Sequence, residues 1–246
     1  MPVFFEAAYL QPAAMLSEMA FLPAYRLKLY RNFKAIDASD YHGIVRYYEQ
    51  FEEAIGSLDM EEYLDCTWTY TNALFETGNF GQHLVMCDHL LELVIMHNIE
   101  TWGGEDIYAK LLFKKAAALY QTQEYAKSAY VLRELVKIYP GNPVPRRFLC
   151  ACLRRQKPRW LFNTRAVAMA LTFLTAGLIA LELFVVHPFF PKYYQPTLIA
   201  HNILLAAAVG TLAAGEALHH WKCYQEAARF ACRMRARKSG DGLHTD

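Results

Sequence analysis

The side chains that could do chemistry are scattered along this sequence. His83, Asp88 and His89 are close in the chain, and imidazole and carboxylate groups bind metals, but their spacing does not place all three on one face of a helix. A polar surface is the favoured interpretation. The chain has no glycine-rich phosphate loop, no H-E-x-x-H motif and no G-x-S-x-G motif. The sequence therefore predicts a protein that is not an enzyme and that has no metal and no cofactor.

Six cysteines are spread over the chain. Cys150 and Cys152 could carry an acyl group, or could bind a metal together with Cys223 and Cys232. Neither spacing resembles a structural zinc site, so ordinary reduced thiols are favoured.

Three polar side chains lie inside apolar stretches, where such groups are costly in lipid, and they are the stronger functional lead. Glu182 lies about four residues inside the end of one stretch, and His201 and Asn202 lie about four residues inside the start of the next. A helical hairpin would bring them to similar depth, where Glu182 pairs with His201 or Asn202 and holds the two helices together or contacts a partner span. The alternative, in which each reaches separately toward nearby headgroups, stays open.

The apolar stretches themselves, residues 166–186 and 197–218, are 21 and 22 residues long and hold one charged side chain each. A span takes roughly 20 apolar helical residues. The proline-rich segment 187–196 cannot continue either helix. The sequence therefore predicts two transmembrane helices with a short external turn, and a buried hairpin of a soluble protein is the alternative. Small residues at spacing four would serve this hairpin as well as oligomerisation: Thr172, Ala176, Ala180, Ala206, Gly210 and Ala214.

Basic side chains set the predicted orientation, since Lys and Arg beside a span resist translocation. Segment 146–165 holds seven of them and no acid, segment 219–246 is also basic, and the turn holds only Lys192. Both termini are therefore predicted to be cytoplasmic, most simply at a bacterial inner membrane. Segment 146–165 is expected to be a basic juxtamembrane helix, and 219–246 a cytoplasmic tail whose basic helix lies along the membrane surface. Aromatic residues agree: Trp160 and Trp221 at the inner boundary, and Phe189, Phe190, Tyr193 and Tyr194 at the outer one.

Residues 1–145 are predicted to form one entirely helical cytoplasmic domain, because glycine is sparse and no long run alternates apolar and polar residues. The segment holds 11 Lys+Arg and 19 Asp+Glu, a net charge of −8, which argues against a nucleic-acid partner. Its first residues lack the basic region of a signal peptide. Residues 1–20 are expected to add a capping helix, with this apolar content: Phe4, Phe5, Tyr9 and Leu10.

One helix–turn–helix pattern stands out between Ala109 and Asn142. Residues with helical spacing precede and follow a break at 122–124, and a proline-rich segment ends the second helix. The residues of this pattern, in order, are Leu112, Ala116, Leu119, Tyr125, Ser128, Leu132, Leu135 and Pro140. This order resembles a tetratricopeptide repeat (TPR), a unit of about 34 residues. It departs from the pattern at Lys115 and Gln123. A second copy covers about 64–97 with a better turn at Thr77–Phe80, and a fainter third has helices around 24–36 and from Tyr41 to Phe51.

The resemblance implies an all-α, TPR-like right-handed helical repeat (an α-solenoid) of about three hairpins, followed by the two transmembrane helices. In TPR proteins the first helix of each unit lines a concave face that binds peptide segments or partner helices. Matching positions here are Asp65, Trp68, Asn72, Phe75, Glu76, Lys110, Phe113, Lys114, Ala117, Tyr120 and Gln121.

Within this set, Lys110 and Lys114 resemble part of a basic clamp for a C-terminal carboxylate. The other clamp positions fall on Leu29, Phe33 and Thr69, which do not match. The alternative is that the aromatic residues of the set, Trp68, Phe75 and Phe113, belong to the core.

The sequence therefore predicts an adaptor or scaffold, integral to the bilayer, that binds a protein or peptide on the cytoplasmic side through this groove. The alternative is an accessory or assembly subunit of a larger membrane complex, held through its transmembrane hairpin.

Overall fold

The computed structural model describes residues 23–186 and 194–241, and most of these residues are helical. The described chain forms two compact units, Met1–Glu124 (unit 1) and Tyr125–Asp246 (unit 2), whereas the sequence analysis placed a boundary after residue 145. The predicted capping helix in residues 1–20 and most of the turn 187–196, with Phe189, Phe190 and Tyr193, lie outside the described residues.

Unit 1 is a succession of short antiparallel helices. Its elements are α1 (Pro23–Lys34), α2 (Tyr41–Gln50), α3 (Glu52–Ile55), α4 (Met60–Glu76), α5 (Phe80–Met96), β1 (Thr101–Trp102), β2 (Glu105–Asp106) and α6 (Ile107–Gln121). Side-chain caps fix two helix starts: Asp40 accepts a hydrogen bond from Gly43 N at 2.9 Å, and Asp106 accepts one from Ala109 N at 2.8 Å.

Three helices of unit 1 end in the same backbone geometry, which closes each repeat. The residue that follows the last turn has a positive φ: 77° at Gly78, 49° at Asn98 and 64° at Gln123. The backbone N–H of the next residue then donates a hydrogen bond to the carbonyl oxygen five residues earlier. Asn79 N donates to Leu74 O at 3.0 Å, and Glu124 N donates to Leu119 O at 2.9 Å. This is the Schellman arrangement, which satisfies carbonyls at the helix end. Gln123 therefore adopts the conformation of the glycine that the repeat pattern leads one to expect there.

The prediction that residues 1–145 are entirely helical is wrong at the insert between α5 and α6. Thr101 pairs with Asp106 and Trp102 with Glu105 in an antiparallel hairpin. Gly103 and Gly104 both have positive φ, as a two-residue type I′ turn requires, so the Gly-Gly pair closes the hairpin. The strands are two residues long, and the fold class remains all-α.

Two clusters of buried side chains hold unit 1 together, and α4 contributes to both. The first joins α1, α2, α3 and α4, and includes Tyr48 stacked on Tyr70 with ring centroids 4.0 Å apart. The second joins α4, α5 and α6 around Leu64, Leu90 and Leu111. Each helix layer is thus buried against its neighbours along the chain, as in a helical repeat. The predicted all-α, TPR-like helical-repeat fold is confirmed.

Unit 2 contains α7 (Tyr125–Ile138), α8 (Pro143–Arg155), α9 (Arg159–Leu181), which continues as a π-helical turn (Glu182–Val186), and α10 (Tyr194–Asp241). Helix α8 begins with Pro143 after Asn142, whose side chain accepts a hydrogen bond from Val144 N at 3.0 Å. Helices α7 and α8 pack on each other, and Ser128 Oγ lies 3.2 Å from Cys152 Sγ between them.

Helices α9 and α10 pack along each other through residues spaced by seven, as in an antiparallel coiled-coil seam. The buried residues are Leu161, Ala168 and Thr175 on α9, Glu182 in the π-helical turn that continues it, and Ala208 and Gly215 on α10. A Cβ atom at Gly215 would lie 2.9 Å from Thr164 Oγ1, so the helices approach closely there. The six small residues at spacing four that the sequence analysis named are all exposed.

Two described helices, Arg159–Phe184 and Gln195–Ser239, are long and apolar enough to cross a membrane by length and composition. Only 17% and 11% of the residues in their most apolar windows are buried.

The basic tail does not leave α10 to form a separate helix. The 48 residues of α10 form one continuous helix, about 70 Å long at 1.5 Å per residue. Beyond His219 it packs on α8 and α7 through a face that includes Cys223, Ala227 and Ala231, which are spaced by four and buried. The tail was expected along the membrane surface. The structure instead pairs this small-residue face with the helices that precede α9.

Candidate functional site

The first helices of the successive hairpins, α1, α4 and α6, lie side by side in unit 1. Asp65 on α4 accepts hydrogen bonds from Tyr30 Oη at 2.9 Å and forms an ion pair with Lys34 Nζ at 2.7 Å, both on α1. Lys114 on α6 donates to Asn72 Oδ1 on α4 at 2.5 Å. We call the surface formed by the predicted groove residues of α4 and α6, from Asp65 to Gln121, the first-helix face.

Lys114 is at the centre of this face. Its Nζ lies 5.9 Å from the centroid of the Trp68 ring and 5.8 Å from that of Phe75, within cation–π range of both. Burial lowers the pKa of Lys114 from its usual value of 10.5, while the nearby carboxylate of Glu76 acts in the opposite direction. The ammonium group is therefore partly withdrawn from water and held by two aromatic faces and one amide oxygen.

The aromatic residues of the face are partly buried. The sequence left open whether they line the groove or belong to the core, and their exposure is intermediate between the two. Trp68 packs against the second core cluster. Phe75 makes edge contacts with Phe80, 5.5 Å between centroids, and with His83, 5.2 Å. Phe113 is also half-buried. Each ring keeps part of its surface in solvent, and Trp68 and Phe75 also contact buried residues.

The remaining predicted residues lie around this centre. Asp65 is already occupied by Lys34 and Tyr30, and burial together with the Asp65 carboxylate raises the pKa of Tyr30 to about 12. Lys110 is exposed and forms an ion pair with Glu105 of the β-hairpin. Four further residues complete the face, two of them exposed (Glu76 and Gln121) and two half-buried (Ala117 and Tyr120).

His83 is a core residue, so the interpretation of this histidine as part of a polar surface is wrong. The side chain is fully buried, with Nδ1 2.8 Å from the carbonyl oxygen of Thr71 and Nε2 3.3 Å from Cys87 Sγ. Burial lowers the pKa of His83 and raises that of Cys87 to about 12. His89 is 2.8 Å from Tyr63 Oη. In residues 23–186 and 194–241, no three His, Cys, Asp or Glu side chains converge as metal ligands would.

Three of the four cysteines of unit 2 are packing residues. Cys150, Cys152 and Cys223 are buried, and Cys232 is exposed. Burial raises the pKa of the Cys152 and Cys223 thiols, so both favour the protonated form.

In the hairpin of unit 2, Glu182 and His201 lie together. His201 Nδ1 is 2.9 Å from Glu182 Oε2, and the side chains are 17% and 9% exposed respectively. Asn202, the other candidate partner, is exposed.

A second link, which the sequence did not predict, lies at the opposite end of the same helices. Arg165 Nε donates to Glu216 Oε1 at 3.1 Å, and the guanidinium group forms an ion pair with the same carboxylate. The sequence shows both charges, since Arg165 directly precedes the first apolar stretch and Glu216 lies within the second. Only the register of α9 against α10 shows that they meet.

Comparison with known proteins gives little beyond this geometry. No family model and no curated protein matches the chain. The crystal structure of a TPR repeats protein from Bacteroides fragilis NCTC 9343 is 13% identical, covers 86% of this chain and 98% of its own, and superposes with a TM-score of 0.39. A TM-score below 0.5 does not establish a common fold. The TPR-like character of this chain rests on the packing of its own helices α1 to α6.

Proposed function

We propose that this protein is a membrane-anchored adaptor that recruits a protein or peptide partner through the first-helix face. The observation that carries the proposal is Lys114, a cation drawn partly out of water and placed between Trp68 and Phe75. Such an arrangement adds little to stability, because the burial of the ammonium group opposes its attraction to the rings and to Asn72. It is well suited to binding, since aromatic anchors beside a cation are typical of interface hot spots.

The chemistry of the face indicates the kind of partner. Lys114 offers a positive charge on α6, and Trp68 and Phe75 offer apolar surface next to it. Lys110, one helical turn earlier, is a second lysine that a partner's carboxylate would have to take from Glu105. A segment that carries a carboxylate beside an apolar side chain would satisfy both features, since a charge-assisted hydrogen bond would form where the cation is already poorly hydrated. Glu76 would disfavour a segment with several acidic residues in a row.

The anchoring part of the proposal is supported by α9 and α10. Most of their apolar side chains are exposed, which would be costly in water and is favourable in lipid. The basic residues on the flanks of both helices favour a cytoplasmic location for both termini, most simply at a bacterial inner membrane.

Cys232 provides a native probe of this topology. It is the exposed thiol of the described chain, whereas the other five are buried. An impermeant maleimide is expected to leave Cys232 unlabelled in intact cells with a permeable outer layer and to label it after the membrane is opened. Labelling in intact cells would place the tail on the outer side and contradict the proposed orientation.

Site-specific photo-crosslinking in the native membrane tests the adaptor function. A crosslinker at Glu76, exposed on the first-helix face, is compared with one at Glu92, exposed on α5. A specific partner should crosslink from position 76 alone, and Lys114→Met should abolish it. Lys115→Met is the matched control, since Lys115 lies on the same helix and pairs instead with Asp88. Crosslinks from both positions, or equal loss in both lysine variants, would contradict the proposed face.

A second candidate function is that of a subunit held in a larger membrane complex through α9 and α10. Asn202 favours it, because this polar side chain is exposed within an apolar helix and could donate to a partner span. The small residues at spacing four are also left outside the α9–α10 seam. Partners that survive Lys114→Met but are lost when residues 166–218 are exchanged for unrelated spans would identify this function.

A further inference from the structure

A cavity in unit 2 has no part in the proposed adaptor function. It lies between α8 and the part of α10 that follows His219, and its volume is about 390 Å³. One wall carries Arg146, Arg147 and Arg154 on α8, and the other carries Tyr224 and Ala228 on α10. A volume of this order holds a small organic molecule rather than a single ion. We call it the arginine cavity.

The charge of the arginine cavity is uncompensated. Three arginine residues line it, and no acidic residue does. Glu226, which lies between Tyr224 and Ala228 on α10, forms an ion pair with Arg133 at 2.8 Å. No ion pair to Arg146, Arg147 or Arg154 is found in the part of the chain that the structure describes. Three like charges within about two helical turns repel one another, and an anion in the cavity would relieve that repulsion.

The position of the cavity along the helices decides which anions can reach it. His219 Nε2 lies 3.1 Å from the carbonyl oxygen of Arg154, which places the Arg154 end level with the end of the predicted span 197–218. Lys222 Nζ, 4.6 Å from the ring centroid of Trp160, marks the same level. Arg146 lies eight residues earlier on α8, about 12 Å farther along the helix axis. One end of the cavity would thus be at headgroup depth and the other in the aqueous phase.

We propose that the arginine cavity binds a phosphate group carried by a small polar moiety, such as the headgroup of an anionic phospholipid or a soluble phosphate ester. Guanidinium groups bind phosphate through paired N–H donors, and three arginines at one cavity would bind it more tightly than a single surface arginine would. Tyr224 lies on the opposite wall, and its hydroxyl group would be a further donor. The lipid source rests on the proposed insertion of α9 and α10 in a membrane, whereas the soluble source does not.

Native mass spectrometry of the full-length protein in detergent tests the lipid source. Wild-type protein mixed with equal amounts of phosphatidylglycerol and phosphatidylcholine should retain one phosphatidylglycerol preferentially. The triple variant Arg146→Gln/Arg147→Gln/Arg154→Gln should retain it at least about tenfold more weakly, because charge-assisted contacts are lost. The control Arg229→Gln/Arg233→Gln/Arg235→Gln removes the same charge from the tail outside the cavity and should bind like wild type.

Thermal unfolding of delipidated protein with glycerol 3-phosphate tests the soluble source with the same variants. If glycerol 3-phosphate stabilises the wild type but not the cavity variant, and phosphatidylglycerol is not preferred, the ligand is a soluble phosphate ester. If phosphatidylglycerol is preferred and glycerol 3-phosphate does not stabilise the protein, the ligand is the lipid headgroup. Ala228→Trp should fill the cavity and abolish binding while keeping all three arginines, which separates loss of the site from misfolding. Absence of binding by either probe, equal effects of the two triple variants, or unchanged binding in Ala228→Trp would overturn the proposal.

Discussion

Replacing His201 by leucine is expected to destabilise unit 2 more than replacing its partner. The Glu182 side chain is 9% exposed and the His201 side chain 17% exposed, with 2.9 Å between Oε2 and Nδ1. His201→Leu leaves the Glu182 carboxyl group, the more buried of the two, without this partner in apolar surroundings, whereas Glu182→Leu leaves the more exposed His201 imidazole. Stranding one member of a buried pair is more damaging than removing both. The double variant should therefore be more stable than His201→Leu alone.

The expected coupling free energy follows from the setting of the pair. Hydrogen bonds between helices in membrane proteins average about 0.6 kcal/mol in double-mutant cycles and reach about 1.7 kcal/mol. A pair of ionisable groups that are both mostly buried belongs near the upper limit, so we expect about 1.5 kcal/mol for Glu182 and His201. Effects of independent sites would add within about 0.3–0.5 kcal/mol.

The assay is reversible unfolding by SDS in mixed micelles. In a background that lacks the thiols of unit 1 and Cys232, dye labelling of the buried cysteines Cys150, Cys152 and Cys223 reports the unfolding of unit 2. Asn202→Leu is the matched control, because this neighbour of His201 is exposed and should change stability little. Additive single effects, or a His201→Leu variant as stable as Asn202→Leu, would refute the pairing argument.

Three further predictions concern both units. Gln123→Gly should raise the free energy of unfolding of unit 1 by about 1 kcal/mol, measured by urea denaturation, because a side chain is strained at positive φ. Gly78→Gln should lower it by a similar amount. Unchanged unfolding free energies in both variants would contradict the common turn geometry. Since burial lowers the pKa of His83 below 6.5, the unfolded chain binds the proton more tightly, so stability present above about pH 6.5 should be lost as pH falls through the folded-state pKa. His83→Gln should flatten this dependence in melting curves between pH 7.5 and 5. Arg133→Glu and Glu226→Arg should each lower the stability of unit 2 by at most about 1 kcal/mol, and the double reversal should restore it, because the pair is partly exposed.

The repeat pattern predicted the residues of the first-helix face, and their role in binding stays a prediction. Spacings of three and four along 64–97 and 109–121 identified which positions of α4 and α6 are buried, and therefore which remain for the first-helix face. The contact of Lys114 with Asn72 and two rings was not predictable, because it depends on the side-by-side placement of α4 and α6. His83 was misjudged for the same kind of reason: a histidine has no apolar signal, and its burial depends on the partners that the packed helices provide, the carbonyl of Thr71 and the thiol of Cys87.

The sequence by itself determined the helical class, several of the breaks between helices and the two long apolar stretches, but not that α8 ends at Arg155 or that α10 continues through the tail. These depend on composition, on capping residues such as Asp40 and Asn142, and on periodicity, all of which are local. Tertiary structure decided that Glu182 pairs with His201 and Arg165 with Glu216. It also decided that α9 and α10 pack through residues spaced by seven, rather than through the small residues spaced by four, and that the tail packs on α8. Each of these depends on the register between two helices, and register is a property of the packed surfaces that neither helix specifies alone.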